Sequence, residues 1–367
     1  MKTYRGIGIM SGTSMDGLDL AYCRFTLDGE RVDFSLEAAR AVPFDERWRR
    51  RLSLLMEQSA EVYAKTDVYF GHFVGKAVQA FLEEENLKPD FVASHGQTIF
   101  HQPDKNFTGQ IGDGETIVSY LPCPLVSNFR NKDVALGGQG APLIPLVEQY
   151  LFPQYKLFLN LGGFSNLAFQ GTAFDVSSAN GILNFLYMKA FPEAPTNYDP
   201  SGELAASGQL KQALLDALNA IPFYQQVPPK SLGWEWVEQV LIPVIAQFPM
   251  PIADILHTLV IHQAQQIASG VKSLQCGPQE ILITGGGRHH LFMMAEISKA
   301  LAPLNVKIAA TNDEIGDYKE AIGFAFLGLR CLLALPTIQA GATGATIPAV
   351  TGAIHLPPQG ALAFFKH

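Results

Sequence analysis

Three runs of small residues in this 367-residue chain have the composition of anion-binding loops. They are Ser11-Gly12-Thr13-Ser14-Met15-Asp16-Gly17, Gly162-Gly163-Phe164-Ser165-Asn166 and Thr284-Gly285-Gly286-Gly287, and each follows an apolar stretch. Glycine lets backbone N–H groups approach a charged oxygen closely, and serine or threonine hydroxyls add donors. Two such loops, facing each other from separate lobes, would hold a polyphosphate. The sequence has no G-x-x-x-x-G-K-[ST], G-x-G-x-x-G or G-x-S-x-G run, which counts against P-loop, dinucleotide-binding and lipase-like serine-hydrolase readings.

Among the carboxylates, Asp16 and Asp19 flank the first loop, Asp113 and Glu115 stand in Gly112-Asp113-Gly114-Glu115, and Asp133 follows Arg130 and Lys132. Most surface aspartates are solvated turn formers. Asp175 differs, because it directly follows the apolar Ala173-Phe174 and precedes Val176-Ser177-Ser178-Ala179-Asn180. A carboxylate at a strand end in a cleft can take a proton from water or a hydroxyl. Ser94-His95-Gly96-Gln97-Thr98 and Arg130 offer hydrogen-bond partners for a polyol, whereas His95 alone reads as a satisfied structural histidine. His257 and His262 are five apart and His289-His290 are adjacent, which is not zinc spacing. The four cysteines form no C-x-x-C pair and read as reduced, buried thiols.

The elements that must position these groups follow from periodicity. Residues 6–10 form an apolar strand, residues 18–25 alternate as a half-buried strand, Asp28-Gly29 marks a hairpin turn, and 31–38 continue the meander. Helical spacing covers 46–58 and 61–85, followed by a short strand at 91–93 that ends at the polar group 94–98. A second strand–loop–strand begins near 155 and repeats the plan of 6–25 about 150 residues later. Helices are expected around 203–219, 234–247, 252–272, 291–302 and 317–335, with a strand at 280–284. The expected organisation is an N-terminal lobe of 1–145, carrying the first phosphate loop, and a C-terminal lobe of 146–367, carrying the second.

Composition narrows the partners. The chain is 48% hydrophobic and 16% charged, with a formal net charge of −8. It can build sizeable cores, and its field would repel nucleic acid. The opening Met1-Lys2-Thr3-Tyr4-Arg5-Gly6 does not resemble a secretory signal, and the apolar stretch 321–335 is interrupted by Arg330 and too short to cross a bilayer. A cytoplasmic location without membrane insertion is expected.

Several stretches together resemble the anhydro-N-acetylmuramic acid kinase family. They are Gly8-Ile9-Met10-Ser11-Gly12-Thr13-Ser14-Met15-Asp16-Gly17-Leu18-Asp19, Ser94-His95-Gly96-Gln97-Thr98, Asn128-Phe129-Arg130 with Asp133 and Gly138-Gln139-Gly140-Ala141-Pro142-Leu143, Asn160-Leu161-Gly162-Gly163-Phe164-Ser165-Asn166, and Pro229-Lys230-Ser231-Leu232-Gly233. Gly285-Gly286-Gly287, Glu320-Ala321 and Phe324-Ala325 also fit, so the resemblance covers nearly the whole chain.

The resemblance implies an α/β fold of the actin-like ATPase (ribonuclease H-like) class, with mixed sheets flanked by helices around a nucleotide cleft. It implies use of ATP and Mg2+ to open the 1,6-anhydro ring of anhydro-N-acetylmuramic acid and phosphorylate O6, a reaction of cell-wall recycling. Asp175 matches the family's general base. Ser11, Gly12, Thr13, Ser14, Met15, Asp16, Gly17 and Leu18 would bind the ATP phosphates, Gly162 and Gly163 the opposite side, and Gly285, Gly286 and Gly287 the adenosine. Thr98, Arg130, Asn180 and Glu320 fall on the sugar side, no protein metal-ligand set is implied, and a homodimer is the family expectation.

The chain departs from the family pattern at two places. Val176-Ser177-Ser178-Ala179 stands where Thr-Gly-Pro-Gly is usual, and Arg288-His289-His290 where Ala-His-Asn is usual. Competing readings are a kinase for another 1,6-anhydro sugar such as levoglucosan, and a non-catalytic nucleotide-binding homologue.

Overall fold

The computed structural model describes residues 1–12, 16–228, 230–310, 312–338 and 343–359. The backbone divides into two units, residues 1–153 with 318–367, and residues 154–317.

In the first unit, β1 (Lys2–Ser11), β2 (Gly17–Asp28) and β3 (Arg31–Pro43) form an antiparallel meander. Next come β4 (Phe91–Gln102), parallel to β1, β5 (Phe107–Ile111), antiparallel to the end of β4, and β6 (Leu125–Ser127), parallel to β4. The second unit repeats the plan. There β7 (Leu157–Leu161), β8 (Phe164–Phe169) and β9 (Thr172–Ser178) form the meander, β10 (Gln279–Thr284) lies parallel to β7, and β11 (Val306–Ile308) parallel to β10. Late in the chain, β12 (Ala353–His355) adds antiparallel to β6, at the edge of the first sheet. An antiparallel 1-2-3 meander with later strands parallel to the first is the ribonuclease H-like topology, and it occurs twice in this chain.

Each sheet has its own core. The helix Ala60–Glu84 begins at Ser59, whose side chain accepts from the Val62 N–H, and it buries Phe70, Val74, Val78 and Phe81, one per turn, against Ile7, Leu18 and Leu20. The helix Ile252–Ser273 does the same in the second unit with Leu256, Leu259, Val260 and Ile267 against Leu157, Leu159 and Leu167.

Three expectations need correction. Residues 146–153 and 318–367 belong with the first unit, not the second. The helix Asp313–Leu332 returns to β1 because both surfaces are small: a Cβ on Gly8 would lie 1.8 Å from the Ala321 carbonyl oxygen, and one on Gly328 2.5 Å from Ala93 Cβ. Phe324 and Phe326 then pack at a tilt against Phe129 and Phe25. The polar group 94–98 does not end the strand but lies inside β4, because β1 pairs with Ser94 and Gln97 and β5 pairs from Gln97 onward, with Thr98 opposite Gln110. The helix expected around 203–219 is two, Glu203–Ser207 and Gln212–Asn219, since the chain at Gly208 passes so near Ala253 that a Cβ would meet its carbonyl oxygen at 2.1 Å.

Candidate active site

In the first unit, the loop after β1 is tethered by a buried side chain that sequence reasoning had grouped with the polyol partners instead. Gln97 is fully buried. Its Oε1 accepts from Ser11 Oγ at 2.5 Å, and its Nε2 donates to the Gly12 carbonyl at 3.2 Å. Gln97 reaches this point because β4 bulges at Gly96 (φ +76°), so that Ser11 pairs with Gln97. At the far end of the loop, Phe44 N–H donates to the Asp16 carbonyl at 2.8 Å. There β3 presses on β2, and a Cβ on Gly17 would sit 2.4 Å from the Val42 carbonyl. Leu18 is fully buried in the core, so at most its main chain can serve a ligand. Thr13, Ser14 and Met15 lie outside the described residues.

Of the residues expected to face the sugar, Thr98 accepts through Oγ1 from Gln110 Nε2 at 3.4 Å. Arg130 donates through Nε to His95 Nε2 at 2.9 Å and through Nη1 to the Gly140 carbonyl at 2.6 Å. Burial lowers the Arg130 pKa to about 10, opposed by the nearby charges of Glu320 and Asp133. Burial likewise pushes the Glu320 carboxyl up, against Lys319 and Arg130. Asp133, which is fully buried, organises the following loop: it accepts from Gly140 N–H at 2.6 Å and from Thr343 Oγ1 at 2.7 Å. Arg130 and Glu320 are thus electrostatic neighbours although far apart in sequence.

In the second unit, Gly162 and Gly163 make the tight turn from β7 to β8, and their carbonyls accept the N–H groups of Asn180, Ala179 and Gly181 at the start of the helix Asn180–Ala190. Asn180 Nδ2 also donates to the Leu161 carbonyl at 3.2 Å. The loop after β10 closes on the same place. A Cβ on Gly285 (φ +87°) would meet Asn160 Oδ1 at 2.5 Å, and one on Gly287 would meet Leu161 Cβ at 2.6 Å. In contrast, a Cβ on Gly163 or Gly286 would meet nothing within 4 Å. The structure therefore gathers Gly162, Gly163, Asn180, Gly285, Gly286 and Gly287 around the end of β7, with open space beside two bare backbone positions.

Asp175 stands within β9 rather than at its end, since Ser177 and Ser178 still pair with Ser165 and Phe164. The register shifts by one residue between Asn166–Asp175 and Ser165–Ser177, which places a β-bulge at Val176. Bulges re-aim side chains, and here Asp175 is half-exposed while Val176 and Ser177 are buried. The carboxylate is gripped from two directions. Oδ1 accepts from Asn166 Nδ2 at 3.1 Å, and Oδ2 accepts from Ser231 Oγ at 3.0 Å and Leu232 N–H at 2.8 Å. Asn166 and Ser231 are residues that sequence reasoning left without a role, although both stand in motifs it singled out.

The first departure, Val176-Ser177-Ser178-Ala179, is accordingly not a ligand-facing loop. All four residues are at most 2% exposed, with Val176 in the hydrophobic core and Ser177 Oγ 2.7 Å from Ser165 Oγ. In the second departure, Arg288 Nη1 and His289 Nε2 reach Asp317 Oδ1 at 3.4 and 2.9 Å. His290 caps the next helix by accepting from Met293 N–H at 3.1 Å.

A family model described as anhydro-N-acetylmuramic acid kinase matches residues 4–357. The chain belongs to the anhydro-N-acetylmuramic acid kinase family. Its relatives include the anhydro-N-acetylmuramic acid kinases of Pseudomonas fluorescens strain Pf0-1, 34% identical over 95% of this chain and 98% of the relative, and of Mannheimia succiniciproducens, 35% identical over 96% of each. Among solved structures, component A of the Acidaminococcus fermentans (R)-2-hydroxyglutaryl-CoA dehydratase aligns over 89% of this chain and 98% of that one, with 13% identity and a TM-score of 0.43. That likeness is too distant to carry weight, and the fold assignment rests on the doubled sheet topology and on family membership. Members of this family are phosphotransferases, so a sugar and a nucleotide are the ligands against which the site has to be read.

Proposed function

We propose that this protein uses ATP to open the 1,6-anhydro ring of anhydro-N-acetylmuramic acid and to phosphorylate O6, giving N-acetylmuramic acid 6-phosphate. Asp175 takes a proton from the water that attacks C1. The C1–O6 bond breaks with its electron pair on O6, O6 takes the γ-phosphoryl group, and ADP leaves. Deprotonating water beside an oxocarbenium-like carbon is a task suited to a carboxylate. The transfer itself requires mainly positioning and charge neutralisation.

The observation that carries the assignment of the base is the setting of Asp175. It is a half-exposed carboxylate, aimed outward by a bulge and held by three donors, so its orientation is fixed before any substrate binds. Asn166 and Ser231 then act as its orienting groups. Open space beside Gly163 and Gly286 fits a nucleotide approaching bare backbone, which supports Gly162, Gly163, Gly285, Gly286 and Gly287 as nucleotide ligands. In the first unit Ser11, Gly12, Asp16 and Gly17 would attend the phosphates, and Thr98, Arg130 and Glu320 the sugar. Asn180, tied to the Leu161 carbonyl, is assigned to the sugar as well. Magnesium would ride largely on phosphate oxygens and water, because it dehydrates reluctantly, and would neutralise charge on the transferring group.

No helix among the described residues is long and apolar enough to cross a membrane. The substrates assigned here would be met in the cytoplasm, by a homodimer as in the family expectation.

The test is sugar-dependent ADP release with purified anhydro-N-acetylmuramic acid and with levoglucosan in parallel. Release with the first and far less with the second is the expected result. Preference for levoglucosan would move the substrate assignment, and ATP binding without turnover of either sugar would replace the enzyme by a nucleotide-binding protein.

A further inference from the structure

We infer that His95 is a positioning residue that holds the guanidinium of Arg130 by its Nε edge, leaving the outer end of the fork for the carboxylate that distinguishes a muramic sugar from simpler anhydro sugars. The inference rests on the sugar-side assignment of Arg130 made above.

The hydrogen bonds of His95 select one tautomer. Nδ1 lies 2.8 Å from the Gly96 carbonyl, which only accepts, so Nδ1 carries the proton. Nε2 lies 2.9 Å from Arg130 Nε, which only donates, so Nε2 is bare. An imidazolium at this position would set N–H against N–H. Burial, with the Arg130 charge adding to it and the Gly96 and Ser11 carbonyls opposing it, lowers the His95 pKa to about 3, so the acceptor form persists at neutral pH. The ring is 4% exposed and is itself fixed from behind: its centroid lies 4.7 Å from that of Phe324, which in turn packs 5.4 Å from Phe129.

Arg130 is thereby pinned twice, through Nε by His95 and through Nη1 by the Gly140 carbonyl, whose own residue is anchored to Asp133. Nη2 makes no hydrogen bond to the described residues, and Arg130 is half-buried rather than enclosed. What remains is the end of the planar fork, a donor pair whose geometry suits a carboxylate. Of the sugars considered, only the muramic one carries such a group, on its lactyl ether.

The test compares the full-length enzyme with His95→Leu, His95→Gln and Arg130→Met on two substrates. These are anhydro-N-acetylmuramic acid and 1,6-anhydro-N-acetylglucosamine, the same ring without the lactyl group. Loss of a charge-assisted hydrogen bond should raise the KM of His95→Leu for the muramic sugar about tenfold to a hundredfold. Its kcat/KM for the glucosamine sugar should fall far less, so that the ratio of kcat/KM between the two sugars shifts by about tenfold or more. Glutamine offers an oxygen to Arg130 Nε and should recover most of the loss. A 15N spectrum of the parent enzyme should show His95 protonated at Nδ1 alone, a readout that needs no turnover.

If Arg130→Met is selective for the muramic sugar while His95→Leu weakens both sugars equally, or neither, the role of His95 is overturned and that of Arg130 stands. If Arg130→Met weakens both sugars equally, the carboxylate assignment of Arg130 fails, and the role of His95 with it. A proton on Nε2 would overturn the inference without any kinetics.

Discussion

Replacing Asp175 by asparagine separates catalysis from structure, because the site can hold the amide almost as well as the carboxylate. With its oxygen turned toward Ser231 Oγ and Leu232 N–H, the introduced amide would keep both hydrogen bonds made by Oδ2 of Asp175, now at 3.0 and 2.8 Å. Its NH2 would then face Asn166 Nδ2, and a turned-over Asn166 amide would offer an oxygen in place of that donor. The fold loses only the charge assistance on two or three hydrogen bonds, roughly 1–2 kcal/mol. Catalysis loses the base itself, which is worth about 10²–10⁴ in kcat, or roughly 3–5 kcal/mol of barrier. ADP release at saturating ATP and sugar should therefore fall by two to four orders of magnitude, against an unfolding midpoint in urea displaced only slightly. The KM for ATP should stay within about threefold, since Asp175 is assigned to the water and not to the nucleotide. If kcat stayed within about threefold of the parent, Asp175 would not be the base and the geometric argument would fail.

Two further outcomes follow from buried groups. Gln97→Ala removes two hydrogen bonds that fix Ser11 and Gly12, so the KM for ATP should rise about tenfold with kcat much less affected, and equal nucleotide affinity would contradict the tethering role. His95 and His262 are both buried with pKa values lowered to about 3, His262 by burial with its Nε2 unpartnered. The folded state resists their protonation, so stability is complete above about pH 6.5 and is lost as pH falls toward 3. At about 1.4 kcal/mol per pH unit, each histidine should cost about 2 kcal/mol by about pH 5. Urea unfolding of His262→Leu should show a pH slope shallower by about one proton, and an unchanged slope would contradict this account.

How far the sequence disclosed the molecule depended on whether a residue's role was local. The two strand–loop–strand openings were legible because an apolar run at 6–10, alternation at 18–25 and the same plan again from 155 are local signals of strands. Ser94-His95-Gly96-Gln97-Thr98 reads as the end of a strand since its residues are polar, and only pairing with β1 on one side and β5 on the other carries the strand through it. Asp175 was legible as a carboxylate after an apolar run, but the bulge at Val176 that aims it was not, because a register shift belongs to two strands and not to one. Asn166 and Ser231 stood inside recognised motifs without roles, and Gln97 was grouped with the polyol partners, since nothing local says which group a side chain will reach. The return of the helix Asp313–Leu332 to β1 had a signal in Gly8 and Ala93 facing Ala321, Ala325 and Gly328. Small residues on two distant segments announce a close contact only once their partner is known.

The central claim is that ring opening by water and phosphorylation of O6 occur together on one sugar. It is tested most directly by incubating the protein with Mg-ATP and anhydro-N-acetylmuramic acid in oxygen-18 water and taking a mass spectrum of the product. The account predicts N-acetylmuramic acid 6-phosphate carrying one heavy oxygen, located at C1. A phosphorylated sugar without heavy oxygen at C1, or no phosphorylated sugar while the protein still binds ATP, would contradict it.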